Sequence, residues 1–179
     1  MVELKGNPRR IAVFGGRHPV PGDAEYAEAR RLGALLARNG YAVMNGGYTG
    51  VMEAVSLGAT EAGGQAIGIT MEIFGDMPPN RYLTEEIRAR DFFERLQILA
   101  ATASGYIAMR GGMGTLTEVT LIWNMLQTRT MEPRPLVLLG NFWKPALEAL
   151  ALHLVVAPAE LDLLRFADTA DEAVSLLRK

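Results

Sequence analysis

An acid and a hydroxyl one helical turn apart, directly behind a run of glycines, give this sequence its first chemical reading. The stretch Arg110-Gly-Gly-Met-Gly-Thr-Leu-Thr-Glu118 follows the apolar run Gly105-Tyr-Ile-Ala-Met109 and leads into an amphipathic segment. Strand, glycine turn and helix in that order make a cradle for phosphate. Glycines let the backbone approach an anion, the first-turn amides point at it, and the helix dipole favours its charge. Gly111, Gly112, Gly114 and Thr115 could hold the phosphate while Glu118, on the same side of the helix, presents a carboxylate beside it. The chemistry implied is on a phosphorylated small molecule.

Each of these residues also has a structural reading. Glycines serve tight turns, Thr115 could cap the helix, and a glutamate in a first turn is stabilised by the dipole by about 0.3 to 1 kcal/mol whatever its function. Arg95, within Phe92-Phe-Glu-Arg-Leu-Gln-Ile-Leu99, has the forked donors suited to phosphate or carboxylate, and reads equally as a solvated helix residue. Arg81, Arg88, Arg90 and Arg110 are further cations near the expected crevice, unranked among themselves. His18 reads as a turn residue, His153 as structural among leucines, and Trp123, Met125 and Leu126 as a packing stripe.

The elements that must position these groups alternate between short β-rich runs and longer helical periods, which predicts an α/β fold: one doubly wound, Rossmann-like domain over residues 1–179, with a mostly parallel sheet and helices on both faces. Strands are expected at Arg10–Phe14, Tyr41–Met44, Ala66–Thr70, Gly105–Met109 and Pro135–Leu139. Helices are expected at 24–39 behind an Asp23 cap and before a Gly40 stop, and at 51–62, 92–104, 115–128, 143–152 and 170–177. The connector from Met71 to Thr84 is long for a compact domain and is expected near the site. Three glycine-rich loops follow strands, after Phe14, Met44 and Met109, and in an open α/β sheet they should converge on one crevice. None is a G-x-G-x-x-G dinucleotide turn with its acidic partner, and none carries the P-loop lysine.

Composition narrows the function. The 18 basic and 20 acidic residues, net charge -2, leave no sequence-wide basic footprint, so a nucleic-acid polymer is not an expected partner. With no cysteine and two histidines, no metal and no disulfide are expected. No leader pattern and no apolar run of roughly 18 to 20 residues appear, so neither membrane nor secretion is expected and a cytoplasmic location is.

With these motifs in order, the chain resembles the Lonely Guy family of cytokinin-activating nucleotide phosphoribohydrolases, members of which have been labelled lysine decarboxylases. The family signature P-G-G-x-G-T-x-x-E matches at Gly111, Gly112, Gly114, Thr115 and Glu118, with Arg110 for the proline and Thr117 for a commonly acidic residue. The signature G-G-G-x-x-G-x-M-G matches at Gly46, Gly47, Gly50 and Met52, with Asn45 and Glu53 at its outer glycines. Arg95 matches the family's essential arginine, followed by Leu96 where a lysine is usual. The resemblance implies hydrolysis of the N-glycosidic bond of a purine nucleoside 5'-monophosphate, of adenosine or an N6-substituted adenosine, to free base and ribose 5-phosphate. It implies phosphate on Gly111 to Thr115, the base toward the loops after Met44 and Thr70, chemistry by Glu118 and Arg95, no cofactor, and a homodimer, for which the apolar helix around Leu121, Trp123 and Met125 also argues. The alternative is a non-catalytic nucleotide or molybdenum-cofactor carrier of the same superfamily. A pyridoxal-phosphate decarboxylase is not expected, because Lys5, Lys144 and Lys179 all lie outside the glycine loops.

Overall fold

The computed structural model describes residues 9–72 and 77–178. Its elements run β1 (Arg10–Phe14), α1 (Ala24–Arg38), β2 (Ala42–Asn45), α2 (Val51–Glu61), β3 (Ala66–Met71), β4 (Glu85–Ala89), α3 (Phe92–Thr102), β5 (Gly105–Ala108), α4 (Met113–Gln127), β6 (Leu136–Leu139), α5 (Trp143–His153), α6 (Pro158–Leu161), β7 (Leu164–Ala167) and α7 (Ala170–Leu176). The strands form one sheet in the order β4-β3-β2-β1-β5-β6-β7, and every pairing is parallel.

Central strands of such a sheet are covered on both faces, so their side chains are mostly apolar and divide by alternation. Ile11, Val13, Val43, Ile107 and Val137 point to one face, where they meet Leu32 and Leu36 of α1, Val51 and Val55 of α2 and Val174 of α7. Ala12, Phe14, Met44, Tyr106 and Leu138 point to the other, against Leu99 of α3, Val119 and Ile122 of α4, and Trp143 and Leu147 of α5. At about 25 cal/mol per Å² of apolar area removed from water, these two layers are the main source of stability.

Three elements were not legible in the sequence. β4 reads Glu-Glu-Ile-Arg-Ala and is mostly exposed, because an edge strand has solvent beside it and no apolar run to betray it. β7, Leu-Arg-Phe-Ala, forms the opposite edge, and α6 has only four residues. β2 lies one residue later than expected, at Ala42–Asn45. Asp23 precedes α1 without a side-chain capping bond; its Oδ2 accepts from Val20 N at 2.9 Å instead. α4 begins two residues before the expected start, with Gly112 at the cap position, so Thr115 is a helical residue and not the cap. Of the connector expected from Met71 to Thr84, residues 73–76 lie outside the described residues.

The chain order reverses between β1 and β5, the strands at the centre of the sheet. Loops leaving the carboxyl ends of two such strands turn to opposite faces and open a crevice between them. Crossing from β4 back to β5 lays α3 on the same face as α4, and this brings Arg95 beside Glu118.

Candidate functional site

The three glycine turns are tied together by two main-chain hydrogen bonds and one from a side chain. Gly16 N donates to Arg110 O at 2.8 Å, Val51 N donates to Gly16 O at 2.9 Å, and Thr49 Oγ1 donates to Arg17 O at 3.2 Å. Gly50, at φ +73, is required here twice over: its backbone lies in the left-handed region, and a Cβ would overlap Gly16 O. Asn45, where the family pattern has glycine, braces the second turn, donating to Ser56 Oγ at 2.9 Å and accepting from Gly47 N at 2.8 Å. Glu53, the other departure, accepts from Tyr26 OH at 3.0 Å and so pins the start of α2 to α1. Burial and that carboxylate push the Tyr26 hydroxyl up to about 12.

Between the turns lies a cavity of about 490 Å³. Gly46, Met52, Arg95, Gly112, Gly114, Thr115 and Glu118 all lie in its wall. Gly47, Gly50 and Gly111 lie behind the wall: Gly47 O accepts from Asn80 N at 2.8 Å, Gly50 abuts the first loop, and Gly111 faces Thr115 and Gly16. The sequence reading missed Arg17, Tyr48, Met71, Met77, Phe92 and Met113, which also line the cavity. Arg17 directly follows the first pair of glycines, a place that marks the loop but not which of its side chains borders the cavity. Arg81, Arg88 and Arg90 are engaged elsewhere, with Tyr82 OH at 2.7 Å, Glu86 at 3.6 Å and Glu94 at 3.1 Å. Arg110 lies over the Phe142 ring at 5.9 Å, outside the cavity wall. His153, expected among the leucines, is exposed at the end of α5.

The inner end of the cavity is an ion pair. Arg95 and Glu118 are 8% exposed each, and Arg95 Nη1 donates to Glu118 Oε1 at 3.2 Å. Arg95 Nε donates to Ile69 O at 2.8 Å, so the guanidinium is held from the sheet as well as by the acid. Gly46 makes room for it, since a Cβ there would overlap Arg95 Nη2 and come within 2.7 Å of Met52 Sδ. Asp91, whose side chain accepts from Glu94 N at 2.9 Å, caps α3 and fixes the turn from which Arg95 projects. Burial raises the Glu118 carboxyl to about 7, against the downward pull of Arg95. Near neutral pH both protonation states of this acid are therefore within reach, and the bond from Arg95 orients it.

The outer end is built on the first turn of α4, where Gly112, Met113, Gly114 and Thr115 line the cavity and no acidic residue intervenes. α2 differs: Glu53 occupies its first turn, and the Val51 amide is already bonded to Gly16 O. Of the helix starts that border the cavity, those of α2 and α3 carry Glu53 and Glu94 in their first turns, and that of α4 has its positive pole uncompensated. Among the described residues no group of three or more His, Asp or Glu could hold a metal ion, and no helix is long and apolar enough to cross a membrane. Lys144, the lysine among the described residues, lies over the Phe166 ring at 5.6 Å and away from the cavity.

Comparison with known proteins gives the same grouping. The chain is 26% identical to a cytokinin riboside 5'-monophosphate phosphoribohydrolase of Rhodococcoides fascians, over 98% of this chain and 92% of that protein. It is 31% identical to a pyrimidine/purine nucleotide 5'-monophosphate nucleosidase of Escherichia coli, over 74% of this chain and 31% of that longer protein. Among solved structures, the molybdenum cofactor binding protein of Rippkaea orientalis superposes with a TM-score of 0.77 at 25% identity, covering 96% of each chain. Residues 52–177, which contain Arg95, the α4 turn and Glu118, match the family model described as possible lysine decarboxylase, and the chain belongs to that family, the Lonely Guy group of phosphoribohydrolase-like proteins.

Proposed function

We propose that this protein hydrolyses the N-glycosidic bond of a purine nucleoside 5'-monophosphate, releasing the base and ribose 5-phosphate. The observation that carries the reading is a buried carboxylate, Glu118, oriented by Arg95 in a cavity whose other end is an uncompensated helix N-terminus. Phosphate on the α4 turn would leave the ribose facing Glu118, one helical turn further in. As the bond from C1' to the base breaks, the bonding electrons leave with the base, which takes up a proton. Positive charge grows on the ribose, and water adds its oxygen to C1' while losing a proton. A carboxylate in a dry site stabilises that charge far more than one in water, and it can accept the proton from water. Arg95 positions the acid, and the phosphate contacts hold the reacting carbon in place. The phosphoribohydrolase and nucleosidase relatives support the bond that is cut; the choice of purine rests on the family resemblance.

The label of lysine decarboxylase fits poorly with this site. A pyridoxal enzyme needs a lysine at the cofactor, and Lys144 does not line the cavity while Lys5 and Lys179 lie outside the described residues. A second reading, a non-catalytic carrier of a nucleotide or of molybdenum cofactor, has support from the structural likeness to the Rippkaea orientalis protein.

Incubated with a panel of nucleoside 5'-monophosphates, the wild type should release free base, detected by chromatography. Glu118→Gln should bind nucleotide but lose about 10²- to 10³-fold in kcat. Intact nucleotides after long incubation, with a pterin cofactor co-purifying, would instead establish the carrier reading.

The pH profile follows from the raised carboxyl. The ionised form is the active one, so kcat/KM should rise as pH passes upward through about 7 and fall below it. A profile flat from pH 6 to 8 would remove Glu118 from the rate-limiting step.

Gly46→Ala should displace the Arg95 guanidinium and cost activity by the same route as Arg95→Ala. The double variant should then lose little more than either single one, since both break one interaction. Fully additive losses would mean that Gly46 acts independently of Arg95.

We also propose a homodimer, with the exposed side of α4 in the interface. Trp123, Met125 and Leu126 of that helix are partly buried within the chain itself, and Trp123 Nε1 donates to Glu160 O at 2.7 Å. Sedimentation at the monomer mass across micromolar concentrations would contradict the dimer.

A further inference from the structure

The charged side chains of the cavity wall are Arg95, Glu118 and Arg17, and two of the three cancel. Arg95 and Glu118 neutralise each other at the inner end. Arg17 forms no ion pair among the described residues. A cation in the wall of a concave site, without a counter-ion from the protein, raises the local concentration of anions.

Its placement is fixed by the fold. The carbonyl of Arg17 accepts from Thr49 Oγ1, the preceding Gly16 is bonded at N to Arg110 O and at O to Val51 N, and Gly50 packs against the Arg17 backbone. The loop is therefore clamped between the other two glycine turns, one of which leads into α4. Arg17 lines the same cavity as Gly112, Gly114 and Thr115 at the first turn of that helix. Arg17 and the first turn of α4 border one cavity, and a guanidinium together with main-chain amides is a donor set for a phosphomonoester dianion, which accepts from both at once.

We propose that Arg17 is the specificity-determining residue by which this cavity takes phosphorylated ligands and rejects their dephosphorylated counterparts. The proposal rests on the nucleotide reading above for the identity of the substrate, and not for the anion site itself. Amides alone bind any acceptor, including a ribose hydroxyl. Adding a full charge makes affinity depend on the phosphate, because a charge-assisted hydrogen bond has about twice the strength of a neutral one.

The test uses the full chain and the variants Arg17→Ala and Arg17→Lys, with thermal melts to establish that each is folded. Calorimetric titration with inorganic phosphate should show affinity reduced about tenfold or more in Arg17→Ala and partly recovered in Arg17→Lys. With adenosine 5'-monophosphate the loss should appear as raised KM, while adenosine binds wild type and Arg17→Ala equally. Unchanged phosphate affinity in folded Arg17→Ala, or equal weakening of nucleotide and nucleoside, would overturn the proposal. If wild type cleaves no nucleotide, the hydrolase reading fails, and the phosphate titration still decides the role of Arg17.

Discussion

A charge placed out of water must be matched, and in this protein the match between Arg95 and Glu118 governs what the surrounding elements do. Removing two ions from solvent costs several kcal/mol each, and their attraction offsets this only with good geometry and further hydrogen bonds. Here the further bond comes from the sheet, at Ile69 O, and the room comes from Gly46. Ionising Glu118 above about 7 still costs stability, because the folded form holds that proton more tightly than an unfolded chain would. The stability that this proton contributes is complete below the ordinary carboxylate range and is lost as pH rises from there through about 7.

The sheet order follows the same requirement. α3 and α4 are consecutive helices on one face, but they precede and follow β5, across the centre of the sheet from β3, whose carbonyl holds Arg95. Only a chain that reverses direction of winding at the centre brings these elements together at the carboxyl ends of the strands. The departures from the family signatures fit the same picture. Asn45 and Glu53 cross-brace the turn that a pair of glycines would have left to the backbone, through Ser56 and Tyr26. They change how the site is supported without entering the cavity wall.

Proteins similar to this one in sequence or in shape bear different names, a phosphoribohydrolase, a nucleosidase and a molybdenum cofactor binding protein among them. Fold alone therefore does not separate catalysis from carriage. The feature on which the hydrolase reading rests is the buried carboxylate of Glu118, held by Arg95 in the cavity wall.

Periodicity and glycine placement by themselves determined the α/β class, the central strands, most of the helices, and the glycine turn that opens α4 at the cavity, because each of these is a local preference of the backbone or an alternation of apolar side chains. Arg95 and Glu118 stood out by type and place, but nothing local distinguished Arg95 from the arginines that pair at the surface. Its partner lies 23 residues away and its carbonyl acceptor 26. β4 and β7 were invisible for a related reason: an edge strand is held by its neighbour's hydrogen bonds and not by its own apolar pattern. Gly46 read as a turn residue or a ligand contact, and only the tertiary structure gave it the job of clearing space for a guanidinium. Arg17 likewise became part of the cavity only when three separate turns closed around it. Local preference is written in neighbouring residues, whereas the pairing of buried charges is decided by which strands lie side by side.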